Sequence, residues 1–156
     1  MFSESASKKE FMPDVDAYCI AGESPPLILE GIYCVQCDEC KEVYYQAYNS
    51  NKLLLRFRII EGQYESTELC MFINLTDPRT GKRYKEFTPN TAYYVNWVVA
   101  NNENLPPRKD RMSYRIFKNK IFEAKVRTTK RRFHDGMAMP KCLNYSVIDY
   151  LIKRLP

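Results

Sequence analysis

A single histidine, His134, is the chain's only imidazole. That removes every catalytic or metal-binding arrangement built on two or more histidines. The carboxylates are scattered, with no acid pair and no Ser-His-Asp set among them. Only five of the 156 residues are glycine, and none falls in a Walker loop or another Gly-rich phosphate cradle. No apolar run approaches the roughly 18 to 20 residues that span a bilayer. The stretch MFSESASKKEFMPDVD lacks the apolar core of a secretion signal. These absences argue against an enzyme, a cofactor and a membrane partner, and they lead to the expectation of a soluble intracellular protein.

What the chain does have is core material. It is 45% hydrophobic and 13% aromatic, enough to build a core and too much for a disordered chain. Its length fits one domain. Its charge is uneven. Residues 1–80 hold 7 Lys/Arg against 13 Asp/Glu, and residues 81–156 hold 17 against 6, so a net of −6 is followed by a net of +11 within an overall +5. A basic half favours an anionic partner, although a solvated surface carries charge as well.

The cysteines are Cys19, Cys34, Cys37, Cys40, Cys70 and Cys142. A disulfide framework is not expected inside a cell. The spacing of Cys34, Cys37 and Cys40 raises zinc, but on a strand Cys34 and Cys37 point to opposite sides. His134 or Cys70 could add one ligand, and neither has a second at a finger-like distance. Ordinary thiols and no metal are the expectation.

Residues 1–26, with Pro13 and Pro25-Pro26, read as a flexible N-terminal arm, and residues 27–156 as the domain. A first strand spans about 31–42. Tyr44, Tyr45 and Tyr48 then lie in a connecting loop before the turn-like Asn49-Ser50-Asn51. KLLLRFRII alternates, with Leu53, Leu55, Phe57 and Ile59 on one face and Leu54, Arg56, Arg58 and Ile60 on the other. EGQYEST reverses the chain at Gly62 into a third strand, ELCMFINL, making a hairpin. A helix follows over 88–102, with Thr88 as N-cap, Pro89 as first helical residue and Asn101-Asn102 as its close. A short helical turn over 113–119 leads to a fourth strand, about 120–130, and a last strand covers about 141–150.

The order β-β-β-α-β-β predicts an all-β protein with one main helix: the five-stranded Greek-key barrel called the OB-fold. Such barrels bind oligonucleotides across strands two and three and the flanking loops. On that frame strand two offers Arg56 and Arg58, and strand three offers Phe72 or Met71 according to register. The first loop offers Tyr44, Tyr45 and Tyr48. Strand four adds Lys125 and Arg127, and the loop after it Lys130, Arg131, Arg132 and Phe133. Lys and Arg neutralise phosphates and release counterions. Aromatic faces stack on exposed bases at about 1–3 kcal/mol each. The helix over 88–102 carries no Lys or Arg, which argues against a duplex reader with a basic recognition helix. Trp97 and Tyr93 read as core, and His134 as a surface residue.

Leu55, Phe57, Ile59, Glu61, Gly62, Tyr64 and Leu69 match a strand pattern, L-x-F-x-[IV]-x-E-G-x-[YF] followed by a leucine. With GIYCVQC, YYVNWVVAN, RIFKNKIFEAKVRT and YSVIDYLIK, the chain resembles OB-fold single-stranded DNA-binding proteins of bacteriophages and mobile elements over about 120 residues. The resemblance implies a cytoplasmic, non-catalytic protein that binds single-stranded DNA during replication, recombination or transfer. The tail KRLP differs from the acidic partner-recruiting tail of many bacterial single-strand binders. RNA offers the same stackable bases and phosphates. Homo-oligomers are frequent among such binders, and the sequence leaves that state open. The competing expectation is a protein-interaction or structural module of OB-like fold whose charge serves solubility alone.

Overall fold

The structure, a computed structural model, describes residues 25–46, 49–129 and 144–156. The expected arm therefore lies outside the described residues, apart from Pro25 and Pro26. Five strands, β1 (Gly31–Tyr45), β2 (Ser50–Ile59), β3 (Glu68–Asn74), β4 (Ile121–Thr129) and β5 (Tyr145–Leu155), surround one helix in chain order, α1 (Ala92–Ala100), and a 3-10 turn (Tyr114–Phe117). All pairings are antiparallel, in the order β3-β2-β1-β4-β5. β3 and β5 approach each other without hydrogen-bonded pairing among the described residues. The sheet is thus mostly-β as expected but not closed into a barrel.

β1 holds the two halves together. Its residues 31–36 pair with β4, and its residues 35–45 pair with β2. Between Cys37 and Glu39 the register shifts by a bulge at Asp38. A strand alternates faces strictly, so an extra residue resets which side chains point inward. Val35 and Cys37 face the core before the bulge, and Cys40 packs against it after. The alternation read in KLLLRFRII holds: Leu53, Leu55, Phe57 and Ile59 are fully buried. They meet Leu69, Met71 and Ile73 of β3 and Phe122, Ala124 and Val126 of β4. Phe57 and Phe122 pack edge to face, with ring centroids 6.2 Å apart. The β2–β3 hairpin turns where expected, and Gly62 at φ +92° supplies a left-handed conformation that side chains resist.

Three boundaries differ from the sequence reading. β1 runs on to Tyr45 and β2 starts at Ser50, so Tyr44 and Tyr45 are strand residues rather than loop residues. Val43, Tyr44 and Tyr45 are strong strand formers, and partners at Lys52, Asn51 and Ser50 extend the ladder. The helix starts at Ala92, capped by Thr91 rather than Thr88: the Thr91 hydroxyl accepts from the Tyr94 amide at 3.2 Å. The Thr88 carbonyl is already taken by the Thr91 amide and hydroxyl, which makes a turn of Thr88-Pro89-Asn90. Asn101 ends the helix, and Asn102 follows at φ +56°. β5 extends to Leu155, because Ile148 and Leu151 join the core. Two bulges in the β4–β5 ladder break the strict alternation of faces along β5.

The helix packs against β5 and buries Tyr93 and Trp97, as read from the sequence. The Trp97 indole donates to the Ser113 carbonyl at 3.0 Å, and the Tyr93 hydroxyl donates to the Met112 carbonyl. Asn96 joins the layers. Its Nδ2 donates to the Ala92 carbonyl at 2.9 Å, and its Oδ1 accepts from the Leu151 amide at 2.9 Å, next to a β5 bulge. The bulge withdraws that amide from the ladder, and the helix satisfies it. Replacing Asn96 by Leu strands a buried donor and should cost about 1–3 kcal/mol in urea unfolding; an unchanged midpoint would contradict this role.

Candidate nucleic-acid interface

Antiparallel partners share a sheet face, so the register decides which candidates meet. Gln36 opposes Arg58, Glu39 opposes Arg56, and Lys125 opposes Ile32. Arg56, Arg58, Lys125 and Arg127 therefore lie on the face turned away from the main core. Phe72 joins them, while Met71 turns inward, which settles the alternative left open by the sequence. Tyr45 shares this face and packs edge to face on Phe72, with centroids 6.4 Å apart. Tyr44, its neighbour, points the other way at the hairpin end, and its hydroxyl donates to Asn49 Oδ1. Tyr48, Lys130, Arg131, Arg132 and Phe133 lie outside the described residues, as does His134.

Burial divides this face. Around Leu54 and Cys70 it is closed: both are buried, with Val43 and Phe72 packed on them, and Tyr45 is buried too. Tyr45 is thus a packing residue rather than an open stacking platform. Lys52, opposite Val43, is half-buried, and burial lowers its ammonium pKa.

The cations of the face have carboxylate neighbours that the sequence reading did not pair with them. Arg58 holds Asp38 through Nε at 3.1 Å and Nη2 at 3.3 Å, and Arg56 reaches Glu39 at 3.4 Å. Both acids sit at the β1 bulge. Arg127 pairs with Asp149 at 3.1 Å across β4 and β5, where Asp149 is the extra residue between the partners of Lys125 and Val126. Lys125 alone of the four forms no ion pair among the described residues. The signal for Asp38 and Glu39 was in the sequence, as acids on the strand beside the arginines. A bulge was needed to set them opposite, and composition does not reveal bulges.

The cysteines separate by face. Cys37 lies in the main core, and burial pushes its thiol pKa up to about 12. Cys34 lies opposite Glu123 on the outer face; burial, then Glu61 and Glu123, raise its thiol as well. No group of three potential metal ligands occurs among the described residues. Cys34, Cys37 and Cys40 are free thiols, but Cys70 is disulfide-bonded. The expectation of thiols throughout fails there, because it rested on compartment and not on geometry.

A second basic region was read only as a loop. Residues 77–91 line an open groove of about 710 Å³ that includes Arg79, Lys82, Arg83 and Lys85. Arg79 is paired with Asp77, and Arg83 with Glu42 at 2.9 Å. The Arg79 amide, followed by its side chain, lowers the Asp77 pKa.

Thiol chemistry tests this partition. In the folded protein at about pH 8, Cys37 should stay unmodified by iodoacetamide and react only on denaturation; rapid native-state labelling located at Cys37 by mass spectrometry would contradict its burial. No protein-family model matches the chain, and no curated protein matches it either.

Proposed function

We propose that this protein is a non-catalytic OB-fold protein of a phage or mobile element that binds single-stranded DNA, with RNA as an alternative strand. It would act in replication, recombination or transfer. The single observation that carries the reading is the convergence of Arg56, Arg58, Lys125 and Arg127 on one face of a sheet ordered β3-β2-β1-β4-β5. That order, with a helix between β3 and β4 and with β3 near β5, supports the OB-fold reading, a five-stranded and partly open barrel.

The ion pairs on the face do not forbid phosphate binding. Exposed pairs of this kind contribute about 0–1 kcal/mol, so a phosphate can take the place of a carboxylate. Asp38, Glu39 and Asp149 then act as competitors for the arginines. A face that is cationic but partly self-neutralised should bind strands with a moderate salt slope and little sequence preference.

No helix among the described residues is long and apolar enough to cross a membrane. A cytoplasmic setting follows from the DNA-binding reading. There the Cys70 disulfide would persist only if shielded from thiol exchange, and Cys70 is fully buried. The second reading, an interaction or structural module, is favoured by the same ion pairs: cations paired with acids need no ligand.

Anisotropy of a labelled oligo-dT of about 30 nucleotides, against a duplex of equal length at about 50–300 mM salt, separates the two readings. The DNA-binding reading predicts preference for the single strand. It also predicts weaker binding and a flatter salt slope when Arg56, Lys125 and Arg127 are all replaced by Ala. No binding at the lowest salt would favour the second reading. The double variant Asp38→Asn, Glu39→Gln should bind several-fold more tightly, since it releases Arg58 and Arg56 to phosphate; weaker binding by a folded variant would contradict the competition.

A further inference from the structure

Exposed apolar side chains are ordinary when scattered, and Val95 on the helix is one of these. Two others are not scattered. Ile32 on β1 is 63% exposed and Tyr150 on β5 is 47% exposed. They flank Lys125 directly in the ladder: Ile32 opposes Lys125 on one side, and Tyr150 opposes it on the other. Directly opposed side chains stand about 4.5–5.5 Å apart at Cβ. The outer face therefore carries a row across three strands, apolar–cationic–aromatic.

Nothing among the described residues accounts for the row. Neither a hydrogen bond nor a ring contact holds Tyr150 among the described residues, and no acid pairs with Lys125. The neighbouring cation, Arg127, is tied to Asp149 and also reaches Thr129 at 3.4 Å. The β2–β3 side of the face shows the reverse. Its aromatics Tyr45 and Phe72 pack against each other, and its arginines are paired.

We infer that the single strand crosses the sheet over β1, β4 and β5, with a base stacked on Tyr150, the flanking phosphate on Lys125 and Ile32 against the base or sugar edge. This inference rests on the single-strand-binding reading and moves its centre away from the β2–β3 face. The chemistry is complementary at each point. A half-exposed phenol offers a flat face for any base, and an unpaired ammonium offers a phosphate site with no carboxylate to displace. Ile32 keeps water from the edge of the stacked pair.

The test uses the full chain and a labelled oligo-dT, comparing wild type with Tyr150→Ala, Tyr150→Phe, Lys125→Ala and a control, Val95→Ala. Tyr150→Ala should weaken binding about 5- to 100-fold, the range of one lost base stack. Tyr150→Phe should retain binding, since the ring and not the hydroxyl is used. Lys125→Ala should weaken binding and lower the salt slope by about one phosphate's share, and the control should bind as wild type does. All three positions are solvent-exposed or half-buried, and thermal unfolding verifies that each variant is folded. Wild-type binding with Tyr150→Ala unchanged would overturn this path and leave the binding reading in place. Loss in Tyr150→Phe equal to that in Tyr150→Ala would overturn stacking. Absence of wild-type binding would overturn both.

Discussion

The double duty of β1 is the constraint on which the rest of the sheet depends. One strand serves β4 with its first half and β2 with its second, and only Val35 and Gln36 pair on both sides. A long strand that must bend between two partners while keeping one face apolar needs a point where alternation can reset. The bulge at Asp38 is that point. It allows Val35, Cys37 and Cys40 to meet the same core. It also delivers Asp38 and Glu39 to the outer face, beside Arg58 and Arg56. The electrostatics of the β2 side therefore follow from how the backbone bends.

β5 shows the same coupling between backbone irregularity and surface chemistry. Two bulges in its ladder with β4 free the Leu151 amide for Asn96 and place Asp149 against Arg127. Between them the regular pairing of Lys125 with Tyr150 survives. Lys125, alone of the four candidate cations in forming no ion pair among the described residues, and a half-exposed aromatic are thus brought together where the ladder stays in register. On the proposed single-strand-binding reading, an outer face that is self-neutralised at the bulges and open between them would give a localised contact rather than a uniform basic track.

Much of the core was legible in the sequence because its signals are periodic. KLLLRFRII alternates as a half-buried strand should, EGQYEST carries its turn glycine, and the Tyr93–Trp97 stripe buries as read. Boundaries were less legible where two local signals competed. Thr88-Pro89 and Thr91 both look like helix starts, and the outcome turned on which hydroxyl met the Tyr94 amide. The candidate site was legible in part. The period of two placed Arg56, Arg58, Lys125 and Arg127 on the outer face. Their carboxylate partners, the burial of Tyr45 and the exposure of Tyr150 depend on bulges and on cross-strand register, which are long-range properties. Tyr150 did not stand out in the sequence, because the bulges of the β4–β5 ladder decide which of its neighbours it meets.

The central claim is that one sheet face of this chain is a single-strand-binding surface. Amide chemical-shift mapping by nuclear magnetic resonance, with an unlabelled oligo-dT titrated into isotopically labelled protein, tests it most directly. The account predicts shifts concentrated at Ile32, Lys125, Tyr150 and their strand neighbours, with residues 77–91 of the basic groove unmoved. Shifts confined to that groove, or none at saturating oligonucleotide and low salt, would contradict it.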